Sequence, residues 1–313
     1  MSTAKAPSTL LNQAREFNKA PEKPPTQIRS RTPRFTLEQD VTLSLTVQQQ
    51  LAEAMTKIQH YDTIYHQWGF AAVDPTGQGV ALNFYGPPGT GKTLTAEALA
   101  GSLQQPIMMV SIADLESKFM GETAKNIASL FRQASEEGAI LFFDEADTLL
   151  GKRLSSVTQG IDNEVNAMRS TLLIELEKHQ GIAIFATNFV KNYDPAFLSR
   201  ITQHIGFELP GEAERLAIWS KMLVSGIPLA GDRQSYLHEL VMLSDALSGR
   251  DIRNCLRLAL PKALMGEGPP RLTLSHLSES IARVRQAYSA INSGAGNAAS
   301  SQIDVAKKLL GVS

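Results

Sequence analysis

Four short apolar runs punctuate the first two thirds of the chain: Val80 to Tyr85, Pro106 to Ile112, Ala139 to Phe143 and Ile182 to Thr187. They do not alternate with polar residues, as a strand wet on one face would, so they predict strands of a parallel sheet covered on both sides. Helical stretches separate them. Leu94 to Leu103 is rich in good helix formers, and from Glu122 to Ser135 the residues Ile127, Leu130, Phe131 and Ala134 fall on one face. After Pro210-Gly211 the pattern becomes helical throughout, with segments over Glu212–Val224, Tyr236–Ser244, Gly249–Leu264 and Leu274–Ala290. The expectation is a three-layer α/β domain over residues 36–210, followed by a small all-helical domain over 211–290.

The flanks read differently. Residues 1–35 carry seven Lys or Arg against two Glu, and Pro21, Pro24, Pro25 and Pro33 interrupt any helix. Such a segment buries too little to offset its ordering entropy, so it is expected to be a flexible basic arm whose removal spares the chemistry of the core. Residues 291–313 read as a linker and tail, with Asn292 to Ser301 polar and small and Ile303 to Leu310 a short candidate docking helix. The whole chain of 313 residues has a formal net charge of −1, so no overall field points to nucleic acid or membrane. No apolar run approaches the roughly 18 residues of a membrane span, and the N-terminus has no secretory core, which fits a soluble cytoplasmic protein. The single cysteine, Cys255, lies in an apolar helical pattern and reads as a core thiol.

The chemistry begins where the first strand ends. Gly86-Pro87-Pro88-Gly89-Thr90-Gly91-Lys92-Thr93 stands between strand and helix, with Leu94 continuing the turn. Glycines there let backbone N–H groups turn inward around a polyphosphate, and the helix N-terminus adds its positive end. Lys92 would reach the outer phosphates and Thr93 would place its hydroxyl on Mg²⁺. The strand over Ala139–Phe143 ends in Asp144-Glu145-Ala146-Asp147. Asp144 would hold the Mg²⁺ hydration shell opposite Thr93, and Glu145 would polarise the attacking water. Asp147 either caps the next helix or joins the chemistry. Asn188, closing the strand over Ile182–Thr187, would lie between the two earlier strand ends and orient water or the γ-phosphate.

With Asp194-Pro195-Ala196-Phe197-Leu198-Ser199-Arg200 following in order, the set resembles an AAA+ ATPase over roughly residues 36–290. The resemblance implies a P-loop α/β domain, a small helical lid, ATP and Mg²⁺ as cofactors, and a homo-oligomeric ring, usually a hexamer, with nucleotide held between neighbours. Arg200 matches the finger that reaches the next subunit's γ-phosphate; the second arginine of many relatives is replaced here by Gln203. Within the lid, Leu247-Ser248-Gly249-Arg250-Asp251-Ile252-Arg253 resembles the second sensor. Arg250 matches the position that touches the γ-phosphate in cis, and Arg253, on nearly the same helix face, is the alternative. Asp40-Val41-Thr42-Leu43 resembles the segment beside the adenine, with Val41 as base contact. Trp68-Gly69-Phe70 reads as ordinary packing.

Ser117-Lys118-Phe119-Met120-Gly121-Glu122 resembles the aromatic pore loop of unfoldases and disassembly machines, in which Phe119, with Lys118 and Met120 beside it, would grip an extended polypeptide. A second, polar pore loop is expected within Gly151 to Ile161. The implied work is protein remodelling; a nucleic-acid-linked loader, favoured only by the basic arm, is the weaker alternative. Leu247 to Arg250 and the Asp194–Arg200 spacing look more like pachytene-checkpoint-type remodellers of HORMA-domain proteins. Small bacterial members of that group act beside HORMA proteins and cGAS-like nucleotidyltransferases in antiviral defence. That likeness implies a HORMA-domain substrate threaded past Phe119.

Overall fold

A computed structural model describes residues 28–74, 79–111, 123–150, 160–188, 193–265 and 268–290. Five strands make one sheet: β1 (Val80–Tyr85), β2 (Ile107–Ser111), β3 (Ile140–Asp144), β4 (Ile182–Thr187) and β5 (Gln203–Gly206). Their order is β2-β3-β4-β1-β5 and every pairing is parallel. The longer helices are α1 (Leu45–Gln59), α2 (Lys92–Ser102), α3 (Thr123–Glu137), α4 (Gly160–Lys178), α5 (Glu212–Met222), α6 (Arg233–Leu243), α7 (Gly249–Ala259) and α8 (residues 274–290).

The apolar runs sort their side chains by parity. Leu141, Phe143, Ala183 and Phe185 face one way and join Phe131, Leu130 and Leu172 from α3 and α4. Ile140, Phe142, Leu82, Phe84 and Ile184 face the other way, against Leu99 of α2 and Val47 and Leu51 of α1. Two cores with the sheet between them are the three layers expected. The helical C-terminal region has its own core of Trp219, Leu240, Ile252, Cys255, Leu272 and Leu277. Cys255 is fully buried there, and burial pushes its thiol up to about 12. The helix expected to continue through Leu264 instead tightens after Ala259 into a 3-10 turn over Leu260–Leu264, where Pro261 has no N–H to continue the ladder.

Two expectations need correction. Ile28 to Phe35, read as part of the flexible arm, lie against the domain: Arg31 exchanges two backbone hydrogen bonds with Ile107 at the free edge of β2, both 2.9 Å. An edge strand with unpaired backbone groups favours such a partner. Trp68 is not packed but 75% exposed, whereas Phe70 meets the edge of Tyr65 at 5.5 Å. Among the described residues no helix is long and apolar enough to cross a membrane. Residues 1–27 and 291–313, the Lys118-Phe119-Met120 loop and most of Gly151 to Ile161 lie outside the described residues.

Candidate nucleotide site

Sheet order brings the motifs together. β4 lies between β3 and β1, so the residues that follow the three strands, Gly86, Asp144 with Glu145, and Asn188, emerge side by side at one end of the sheet. Ligands of parallel α/β sheets sit at that end, outside the carboxyl termini of the strands.

The loop before α2 is shaped by close approach. Gly86 has φ +140° and a Cβ there would stand 1.9 Å from the Phe207 carbonyl oxygen, so the turn admits no side chain. Gly89 has φ +81°, and a Cβ would fall 2.5 Å from Ser248 Oγ and 2.9 Å from Arg250 Cβ. Glycine here lets the lid approach the phosphate loop directly. The Arg250 N–H donates to the Gly89 carbonyl at 3.2 Å.

Lys92 is buried and its ammonium donates to the carbonyls of Gly86 (2.7 Å) and Pro87 (2.9 Å) and to Asn188 Oδ1 (3.0 Å). The Asn188 N–H in turn donates to Asp147 Oδ1 at 3.2 Å, which gives Asp147 a role in holding the strand end. Thr93 Oγ1 donates to Asp144 Oδ2 at 3.2 Å. A hydroxyl and a carboxylate together at a helix N-terminus are hard oxygen donors of the kind Mg²⁺ takes beside phosphate. Glu145 follows with φ +53°, a left-handed conformation that is unusual for a glutamate, and its N–H donates to Asp144 Oδ1 at 3.0 Å. Backbone strain of this kind is stored where a side chain must be aimed.

Lys92, Thr93, Asp144, Glu145 and Asn188 line one cleft of about 720 Å³ with Arg250 and Arg253, so both sensor candidates reach it. Val41 lines an adjoining, more apolar cavity of about 470 Å³ with Leu43, Leu94, Ile218 and Met222, and its carbonyl accepts from Lys221 Nζ at 3.0 Å. Gly89, Gly91, Leu94 and Arg253 border both spaces, giving a polar half for phosphates and an apolar half for a base. Arg200 is not in either. It stands at the opposite end of the strands, beside Gly79, Val80 and Gly181, and pairs with Glu177 at 3.1 Å. Arg200 therefore stands apart from the cleft of its own protomer.

The sequence reading missed Arg31, Arg34 and Glu97, which line the same cleft. The available signal was Glu97 itself, a lone acid between Ala96 and Ala98 four residues after Thr93, on a helix otherwise suited to burial.

Burial pushes the Lys92 ammonium down to about 8, against the pull of Asp144 and Asp147 and with a smaller push from Arg250. A bound polyphosphate favours the charged form and raises that value, so binding takes up a proton once the free site has begun to lose it. Nucleotide affinity is thus expected to be level well below pH 8 and to fall as pH rises through 8. Titration calorimetry across that range, with proton uptake obtained from buffers of different ionisation enthalpy, checks the slope.

Comparison with known proteins agrees with this geometry. Residues 82–209 match the model of the ATPase family associated with various cellular activities (AAA). A putative 26S proteasome regulatory subunit homolog of Methanocaldococcus jannaschii is 36% identical over 185 residues, covering 58% of this chain and 49% of that protein. The 26S proteasome subunit RPT4 of Saccharomyces cerevisiae is 35% identical, covering 57% and 41%. The chain thus spans about half the length, or less, of these relatives. A crystal structure of the FIGL-1 AAA domain superposes with a TM-score of 0.63 over 86% of this chain and 92% of that one, at 20% identity, which speaks to the fold. The expected α/β fold with its parallel sheet therefore stands, and residues 82–209 are similar to the AAA ATPase domain.

Proposed function

We propose that this protein hydrolyses ATP and uses the energy to remodel other proteins. The carrying observation is the convergence of Lys92, Thr93, Asp144, Glu145 and Asn188 at one end of the sheet. Lys92, already extended along the phosphate loop, exchanges carbonyl partners for phosphate oxygens. Thr93 and Asp144 would hold Mg²⁺, which would supply charge neutralisation at the phosphates. Glu145 accepts the proton of the attacking water, and Asn188 holds both Lys92 and that water in line. Arg250 carries the state of the site to the lid through the Gly89 contact.

Closure of the site by Arg200 of a neighbour implies a homo-oligomeric ring, with a hexamer as the expected form. The remodelling reading is supported by relatives among proteasome regulatory subunits and by Phe119 in the pore-loop position. A folded fluorescent reporter with an extended tail tests it: ATP, but not a non-hydrolysable analogue, should abolish its fluorescence. Phe119→Ala is expected to slow that loss more than tenfold, because apolar grip at the pore is what advances the chain. Reporters that stay folded with tails of every composition would sink the threading reading.

The finer reading, a HORMA-domain substrate linked to a nucleotidyltransferase in antiviral defence, rests on Leu247 to Arg250 and the Asp194–Arg200 spacing. Incubating the protein and ATP with a closed HORMA protein and following its complex by size exclusion tests that reading. Persistence of the complex alongside unfolding of other reporters separates the two.

A further inference from the structure

Helix α2 begins with the residues that meet phosphate, yet one turn further on it turns a carboxylate into the same cleft. Glu97 lies four residues after Thr93, on the same helix face, and its side chain is only 5% exposed. An unpaired carboxylate there is costly to bury and repels a polyphosphate. Two arginines from the segment before the domain neutralise it. Arg31 Nη2 donates to Glu97 Oε2 at 2.9 Å, and Arg34 donates to Glu97 Oε1 from its side-chain Nε (3.0 Å) and from its backbone N–H (3.2 Å). Burial raises the Glu97 carboxyl, but the hydrogen bonds and charge of Arg34 and Arg31 outweigh it and leave the group below its ordinary value.

The segment is fastened at other levels of α2 as well. The Phe35 carbonyl oxygen sits where a Cβ on Gly101 would come within 1.9 Å, a contact only glycine permits. The Leu37 N–H donates to Ser102 Oγ at 2.9 Å, and that hydroxyl donates to Glu38 at 2.8 Å. Arg31 is also bound through its backbone to Ile107, so one residue ties the nucleotide helix to the edge strand.

We propose that residues 28–38 are a strap forming one wall of the nucleotide cleft, and that Arg31 and Arg34 are positioning residues that set nucleotide affinity by neutralising Glu97. Detachment of the strap bares Glu97 to the phosphates and favours release. This rests on the nucleotide reading of the cleft. It predicts, against the expectation from the sequence, that removing residues 1–35 weakens nucleotide binding, since that deletion takes both arginines.

The test is titration of the full-length protein with a fluorescent ATP analogue. The Arg31→Ala/Arg34→Ala double variant should bind about tenfold more weakly, one bared charge acting on a polyphosphate at short range. Adding Glu97→Gln should restore most of the lost affinity, which a purely structural role for the arginines would not do, and Arg31→Lys/Arg34→Lys should keep most of it. Glu97→Gln alone should bind more tightly, because both arginines then face the phosphates unopposed; this decides the matter even if the double variant does not fold. A double variant that binds like the parent, a triple variant no better than the double, or weaker binding by Glu97→Gln overturns the strap. No binding by the parent protein would instead overturn the nucleotide reading.

Discussion

Glu145→Gln is expected to lower ATP turnover by a factor of about 10²–10⁴, the range that a positioned general base contributes. Glutamine keeps the length of the side chain and its hydrogen bonding but has no basic oxygen to take a proton from water. The backbone constraint is unchanged, since the N–H bond to Asp144 Oδ1 does not involve the side chain. Nucleotide affinity should survive, because Lys92 and Thr93 supply the phosphate and metal contacts. Phosphate release under saturating ATP, paired with equilibrium binding of the same preparation, checks both halves. Near-normal turnover in the variant would remove Glu145 from proton transfer and point to Asp147 or to water alone.

The second large effect belongs to Arg200. Removing an arginine finger costs on the order of 10³–10⁵ in turnover, and Arg200→Ala is expected to show a loss of that order. In the isolated protomer the guanidinium is spoken for: it pairs with Glu177 and donates to the Ala196 carbonyl at 2.9 Å, away from its own cleft. A catalytic action of Arg200, as proposed, would therefore be on another subunit. Mixing Arg200→Ala with Glu145→Gln protein tests this directly. Each variant alone should turn over slowly, but a mixed ring would hold some interfaces with an intact Glu145 on one side and an intact Arg200 on the other. Recovery of turnover in the mixture is the expected result; none at any ratio argues against a finger in trans. Gln203, in the place of a second arginine, donates to Glu53 at 3.3 Å and supplies no substitute cation.

Much of this was legible from the chain because the relevant signals are local. The glycine-rich loop between strand and helix, the acids closing an apolar run and the polar residue after Thr187 each announce themselves within eight residues. The sheet then needs only its order to bring them together. What stayed hidden depends on partners far apart in sequence. Arg31 and Glu97 are 66 residues apart, and no periodicity links them. The basic, proline-broken composition of the arm misled about residues 28–35, whose order comes from an edge strand and a buried acid. Asp147 had two readings, helix cap or chemistry, and neither included its contact to the backbone of Asn188, which exists only once β3 and β4 are neighbours.

The left-handed backbone at Glu145 carries a consequence for how this position can change over time. A non-glycine residue there costs roughly 1–2 kcal/mol relative to one free of Cβ crowding. On the proposed role of Glu145, a drift toward glycine would relax the strand end and slow the reaction in the same step, so selection for sturdiness and selection for turnover would oppose each other at a single codon. The rest of the sheet supplies the stability that lets the costly residue remain.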